Sequence, residues 1–322
     1  MGVKFVLSCV ACGLLATACT REPESTATPA PARPAAPAGE VIVAKRGGFI
    51  PEGIEYDQAN RRFMTGSLAE GSILVIGRDG GVTPFVRDSS LVSSVGIEVD
   101  EPRDRILVAN SDRAVFQPGN VGQAKLNVYS LTTGERVALV DLAAVIGTPS
   151  DPPAYFANDV TVDPDGNVYV TDTRMNVIYK VTPDYKAQVL HRFPAMEGGA
   201  ALNGIVYHDG GYLLVVAGSL LYKVPVANPA GTTQVNVAEP VPGQDGIVWA
   251  ADGTLAVVSN SADAPRVVKL RSADDWASAQ RAGVAVLAGQ ATTAAAVGAE
   301  IYAVHPHFAD ADPPSIEQAV FR

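Results

Sequence analysis

The chain has 322 residues, with 24 Lys and Arg against 34 Asp and Glu, a net charge of −10, and 47% hydrophobic against 18% charged residues. So acidic a balance lacks the basic footprint of a nucleic-acid or anionic-lipid partner, and so apolar a composition belongs to a globular chain. The length admits two ordinary domains or one barrel or propeller.

Lys4 followed by the apolar stretch Phe5 to Ala18 has the layout of a secretory signal over residues 1–18. That stretch falls short of the ~20 apolar residues needed to span a bilayer. The run Leu15-Ala16-Thr17-Ala18-Cys19 resembles a bacterial lipobox, which implies lipidation of Cys19; the alternative is plain secretion after cleavage near Ala18. Either way the expected location is the bacterial cell envelope, anchored by lipid and facing the periplasm, or outside the cell. Residues 20–39 carry Pro23, Pro29, Pro31, Pro34 and Pro37 among small and polar residues, the composition of an extended linker. All three cysteines, Cys9, Cys12 and Cys19, lie in this leader, so the predicted domain over residues 40–322 contains no disulfide, zinc thiolate or cysteine nucleophile.

From there a unit repeats. A polar or small residue, then Gly or Asp, then a β-rich run opens at Glu52-Gly53-Ile54, Val95-Gly96-Ile97, Asn158-Asp159-Val160, Asn203-Gly204-Ile205 and Asp245-Gly246-Ile247. Most of these spacings match the ~40–45 residues of a four-stranded propeller blade, and the long one holds polar insertions at 117–124 and 147–155. In the third unit the strands read Asp159–Asp163, Val168–Asp172, Val177–Thr182 and Ala187–Phe193, separated by turn residues such as Pro164-Asp165-Gly166-Asn167. Only Asp141–Ile146 and Ser272–Gln280 read as helical. A weaker sixth unit spans Thr292–Val297, Ile301–Val304 and Ser315–Phe321 and lacks a fourth strand, which Val41–Lys45 supplies by closing the ring. The expected fold is an all-β, six-bladed propeller with four-stranded blades, with five or seven blades as the other counts.

In such a ring the residue opening each innermost strand stands at one end of the central channel. Glu52, Val95, Asn158, Asn203 and Asp245 occupy that place, with Thr292 or Thr293 as the sixth. Two carboxylates and two carboxamides there suit Ca²⁺, a hard cation with ~6–8 oxygen ligands. The competing reading makes these Asn-Gly and Asp-Gly pairs hairpin turns, but each unit has a later turn of its own, at Asp165-Gly166, Asp209-Gly210 and Asp252-Gly253. Second strands return to the same end, so Asn110, Asp172, Asn260, His305 and His307 are expected on a substrate-binding rim.

The ordered motifs Pro51-Glu52-Gly53, Phe156-Ala157-Asn158-Asp159, Leu202-Asn203-Gly204 and Gln244-Asp245-Gly246 resemble the gluconolactonase/regucalcin family, related to diisopropyl fluorophosphatase and the paraoxonases. The resemblance spans about residues 40 to 322. It implies that Glu52, Asn158, Asn203 and Asp245 ligate a divalent cation, usually Ca²⁺, and that Asp245 is also base or nucleophile in lactone or ester hydrolysis. Sugar-lactone members carry an arginine where this chain has Phe156, beside Tyr155, so an aromatic wall and a less polar substrate are expected. Two other readings use the same architecture: a non-catalytic binding propeller with structural Ca²⁺, and a metal-free propeller similar to strictosidine synthase.

Overall fold

The structure, a computed structural model, describes residues 39–147, 153–196, 200–308 and 312–322. The expected signal, the Cys19 site and nearly all of the expected linker lie outside the described residues. No helix among the described residues is long and apolar enough to cross a membrane.

The described chain is all-β and propeller-like, with blades in a ring. Antiparallel meanders follow one another: β2 (Ile54–Asp57), β3 (Arg62–Thr65), β4 (Ser72–Ile76) and β5 (Val82–Arg87); then β6 (Ser93–Asp100), β7 (Arg105–Ser111), β8 (Gly122–Ser130) and β9 (Arg136–Asp141). Next come β10 (Tyr155–Val162), β11 (Val168–Asp172), β12 (Val177–Val181) and β13 (Ala187–Arg192), then β14 (Leu202–His208), β15 (Tyr212–Ala217), β16 (Leu220–Pro225) and β17 (Thr233–Gln234). The short β18 (Asn236–Val237) precedes β19 (Gln244–Trp249), β20 (Leu255–Ser259), β21 (Arg266–Arg271) and β22 (Ser278–Val286). Finally β23 (Ala294–Val297), β24 (Glu300–His305) and β25 (Ser315–Gln318) share a sheet with β1 (Val41–Val43), which pairs with β25 in the register Val41↔Glu317.

Six separate four-stranded sheets were the expectation, and the hydrogen bonding corrects it to five sheets, one of them eight-stranded. Two meanders merge because Tyr155 and Phe156 pair in parallel with Gly122 and Gln123. Gly122 permits this contact: its φ is +71°, and a Cβ there would lie 2.3 Å from the Tyr155 carbonyl oxygen. Another sheet gains β18, parallel to β22. The two expected helical segments are also corrected. Asp141–Ile146 contains only a 3₁₀ turn, Ala143–Val145. In the second, the Asp274 carboxylate accepts from the Ser278 N–H and hydroxyl at 2.9 and 2.7 Å, fixing a turn from which β22 starts.

The hairpins form for a local reason. At Asp163–Asn167 the Asp163 carboxylate accepts from the Asn167 N–H at 2.8 Å while Gly166 takes the positive φ of 87°. Between meanders the apolar rows interlock: Leu107, Leu126 and Val128 pack with Val160, Val170 and Tyr179. Ile42, Phe63, Leu74, Tyr302, Val304 and Ile316 pack the first meander against the β23–β25 strands and β1. Phe63 is fully buried between Tyr56 and Tyr302, with ring centroids 4.9 and 5.3 Å away.

The innermost strands meet backbone to backbone. A Cβ on Gly204 would lie 2.6 Å from the Asp245 carbonyl oxygen, so close approach demands glycine there. Around the same end the Gly53 N–H donates to Val95 O at 3.0 Å, the Gly246 N–H to Thr292 O at 2.7 Å, and the Thr292 hydroxyl to Glu52 O at 2.7 Å.

Glu317, opposite Val41, makes a 3.0 Å ion pair with His305 Nε2 and accepts from the Ala288 N–H at 2.9 Å. Burial pushes its carboxyl up, but His305 and Ala288 outweigh that and hold it below the usual glutamate range. A depressed carboxyl stabilises the fold above its unfolded value and loses that contribution as pH falls through its folded value. Glu317→Gln should therefore lower the Tm near neutrality, with the gap to wild type closing as pH drops below ~4. A gap that stays constant in melts from pH 7 to 3 would show that the pair adds nothing.

Candidate functional site

The repeated motif corresponds to a register break in the innermost strands. Pairing skips from Ser94 to Ile97 in β6, Ala157 to Val160 in β10, Leu202 to Ile205 in β14 and Gln244 to Ile247 in β19. The skipped residues are Val95-Gly96, Asn158-Asp159, Asn203-Gly204 and Asp245-Gly246. Bulges re-aim a side chain relative to its sheet, which is how a strand that otherwise alternates between two packed faces presents one polar group at its end. Glu52 stands just ahead of β2 and needs no bulge.

Asp245, 7% exposed, accepts at Oδ2 from Asn260 Nδ2 at 2.8 Å and is also hydrogen-bonded by the Asn203 side chain. Asn158, 6% exposed, donates from Nδ2 to the Thr173 hydroxyl at 2.9 Å, and Thr173 donates on to Leu202 O at 2.8 Å. That bond fixes the Asn158 carboxamide and leaves its oxygen unclaimed by it. The carboxylates are electrostatically strained. Burial raises Asp245 to about 6, against the downward pull of Asn260 and Asn203. Burial pushes Glu52 well above the usual range, and Asp245 and then Asp159 push it further.

Three half-buried carboxylates of the innermost strands, Asp159, Glu55 and Glu98, escaped the sequence reading as site residues. Asp159 rises to about 7, by burial first, although it accepts from the Ile205 and Val160 N–H groups at 3.0 and 2.9 Å. Glu55 reaches about 7, and Glu98 is raised by burial and by Glu55 and Asp159. The signal was present: Glu55 and Glu98 each stand three places after a ring residue, polar within a β-rich run.

Among the described residues, no group of three or more His, Cys, Asp or Glu could hold a metal ion. The candidate set is of a different kind, two carboxylates with two carboxamides. These four offer oxygen donors only, and the mutual repulsion of Glu52 and Asp245 is the strain a cation between them would relieve, so the residues fit Ca²⁺ chemically.

The rim residues divide. Asn260 lies against Asp245, as described. Phe156, 5% exposed, packs with Val95 and Val115, and its ring meets Phe116 edge-on at 5.0 Å. Tyr155, expected beside it, points to the other face of β10 and packs on the core of Leu107 and Tyr179, because neighbouring strand residues alternate. Asp172 is fully buried and is corrected to a positioning role: it accepts from the N–H groups of Phe156, Arg174 and Met175 at 3.0, 2.9 and 3.0 Å and from the Tyr179 hydroxyl at 3.0 Å. Asn110 is likewise buried and corrected, its oxygen taken by Val92 N–H and Gln123 Nε2 and its nitrogen by Ser90 O and Asn127 Oδ1. His305, 3% exposed, has Nδ1 2.9 Å from Gln290 O and Nε2 on Glu317, so neither nitrogen is left for a substrate. His307 is half-buried, with Nε2 3.4 Å from the Ser315 hydroxyl.

No protein-family model matches the sequence, and no curated protein does. Solved structures do resemble it. The allergen Mala s 1 of Malassezia sympodialis aligns with a TM-score of 0.69 at 18% identity, covering 88% of this chain and 96% of that one. A calcium-binding protein, regucalcin, of Agrobacterium tumefaciens aligns at 0.61 and 17% identity over 88% and 94%. A gluconolactonase of Xanthomonas campestris aligns at 0.59 and 14% identity over 88% and 98%. Each likeness is one of fold.

Proposed function

We propose that the protein is a Ca²⁺-dependent hydrolase of lactones or esters, working at the mouth of a six-bladed ring. Glu52, Asn158, Asn203 and Asp245 would hold the cation, with Asp245 as base or nucleophile. The observation that carries this reading is the gathering of Asp245, Asn203 and Asn260 in one hydrogen-bonded group, with Asp245 close enough to Glu52 for its charge to push the Glu52 carboxyl up. The six-blade count is supported by the succession of meanders and by the apolar packing of the first against the last. Among fold neighbours, one is named a gluconolactonase and another a calcium-binding protein, which agrees with the reading.

When bound, Ca²⁺ would supply Lewis-acid polarisation of the substrate carbonyl. The chain's own groups do the rest. Asn260 donates to Asp245 Oδ2 and the Asn203 side chain bonds the same carboxylate, so its orientation is fixed. As a base, the Asp245 carboxylate takes a proton from water while the water oxygen adds to the carbonyl carbon; the proton then goes to the departing alkoxide as the C–O bond breaks. As a nucleophile, the Asp245 carboxylate adds to the carbonyl carbon and the C–O bond breaks, the alkoxide taking a proton from water; a second water then attacks the Asp245 carboxyl carbon of the mixed anhydride and releases the product acid. Single turnover in H₂¹⁸O separates the two, since only the nucleophile route leaves label in Asp245. On the Phe156 side the wall is apolar, with Val95, Val115, Leu68 and Ala154, which favours a substrate with an apolar body.

The protein with Ca²⁺ added should hydrolyse aliphatic or aromatic lactones, and EDTA should abolish turnover and lower the Tm. Inactivity of a Ca²⁺-loaded sample across an ester and lactone panel would remove the hydrolase reading. A drop in Tm with EDTA but no turnover would point to the binding propeller, and absence of stoichiometric metal to the metal-free, strictosidine-synthase-like one. We also propose lipid attachment at Cys19 and a cell-envelope location; labelled palmitate should enter the wild-type chain expressed in a bacterium and fail to enter Cys19→Ser.

A further inference from the structure

The apolar side of the mouth ends in a charge. Val95 is the one aliphatic residue among the ring positions, and Val115 and Phe156 pack on it. Phe116, on the short 3₁₀ turn Arg113–Phe116, covers Phe156 edge-on and is itself 58% exposed. The Arg174 guanidinium lies over the Phe116 ring, 5.9 Å from its centroid. Phe116 and Arg174, with Val115, Val121 and Ala154, line a cavity of about 440 Å³.

Arg174 is tied by the backbone to Phe156 and to the candidate cation ligand Asn158. Its N–H shares the Asp172 carboxylate with that of Phe156, and its neighbour Thr173 holds the Asn158 carboxamide. Among the described residues no carboxylate pairs with its side chain. A guanidinium stacked on an aromatic face is preorganised to grip a planar carboxylate bidentately. A single guanidinium in a chain of net charge −10 suits a singly charged group better than a dianion.

We propose that this mouth selects esters or lactones whose apolar body carries a second, carboxylate group, held by Arg174 beyond the Phe116–Phe156 pair. The arginine comes from the β11–β12 turn and not from the β10 position filled by Phe156. This inference rests on the hydrolase reading for the word substrate, but binding tests it without turnover.

Calorimetry on the full-length protein with Ca²⁺ would compare 4-phenylbutyrate with neutral 4-phenylbutanamide, and kinetics would compare monophenyl glutarate with phenyl butyrate. Wild type should favour the carboxylated member of each pair about tenfold. Arg174→Gln should erase that preference and leave the neutral member unchanged, and Arg174→Lys should restore only part of it. Phe116→Ala should weaken both members of each pair. Arg174 is exposed, so these variants should melt like wild type. Equal binding of acid and amide by wild type overturns the proposal, as does a preference surviving in Arg174→Gln, which would mean the carboxylate sits elsewhere, for instance on Ca²⁺. Tighter binding of phenethyl phosphate than of phenylbutyrate overturns the choice of a monoanion. An Arg174-dependent binding preference without hydrolysis of either ester would uphold the subsite and sink the hydrolase reading instead.

Discussion

Asp245→Asn should cost about 10³-fold or more in kcat for lactone hydrolysis, the scale on which a lost general base or nucleophile is felt. The substitution keeps the size of the side chain and an oxygen for Asn260 Nδ2 to donate to, so the fold should survive. It also removes the strongest like charge acting on Glu52. Without metal the variant should therefore melt at or above the wild-type temperature, and with Ca²⁺ the order should reverse, because wild type gains binding energy that the variant loses. Melts with and without Ca²⁺ give the second readout independently of catalysis. Wild-type turnover in the variant would remove Asp245 from the chemistry; an unchanged response to Ca²⁺ would remove it from the cation site.

Asp172→Ala should be among the most destabilising single changes in the domain. One fully buried carboxylate collects three backbone N–H groups and the Tyr179 hydroxyl, and deleting it strands all four in the interior. At ~1–3 kcal/mol for a buried group left unpaired, partly relaxed by water, the expected cost is about 3–5 kcal/mol. Burial pushes the Asp172 carboxyl up and the four donors offset part of that, so Asp172→Asn, which retains an acceptor oxygen, should cost distinctly less. Tyr179→Phe removes a single bond and should cost about 1 kcal/mol. Urea denaturation of the three variants checks the ranking, and a loss below 1 kcal/mol for Asp172→Ala would contradict it. Activity should fall with stability, since the same carboxylate fixes Phe156 and the turn carrying Thr173, the partner of Asn158.

The positions of the strands were legible because their cause is local. Val168–Asp172 was read with the boundaries that β11 has, and Val41–Lys45 was assigned beside the last strands, where β1 pairs with β25. The polar-then-glycine motif was legible as a strand opening because a separate hairpin turn follows it in the same unit. What the motif does, a two-residue break in pairing, was not legible, since register depends on the neighbouring strand. The segment Ser272–Gln280 misled for the opposite reason. Its composition suits a helix, but side-chain bonds from Asp274 and Ser272 close a turn first.

The rim shows where sequence stops. Asn110, Asp172 and His305 have the chemistry of substrate-binding groups and stand at the ends of second strands, as inferred. Their polar atoms are spent on partners such as Gln123, Tyr179 and Glu317, 7 to 13 residues away along the chain. Residue type and periodicity therefore determined which side chains stand at the ends of second strands. Only the tertiary structure decided which remain free there, which half-buried carboxylates, Glu55, Glu98 and Asp159, stand along the inner strands, and that Arg174 rests on Phe116. The physical reason is that a side chain's chemistry belongs to its residue, whereas its availability depends on every donor and acceptor that folding brings within reach.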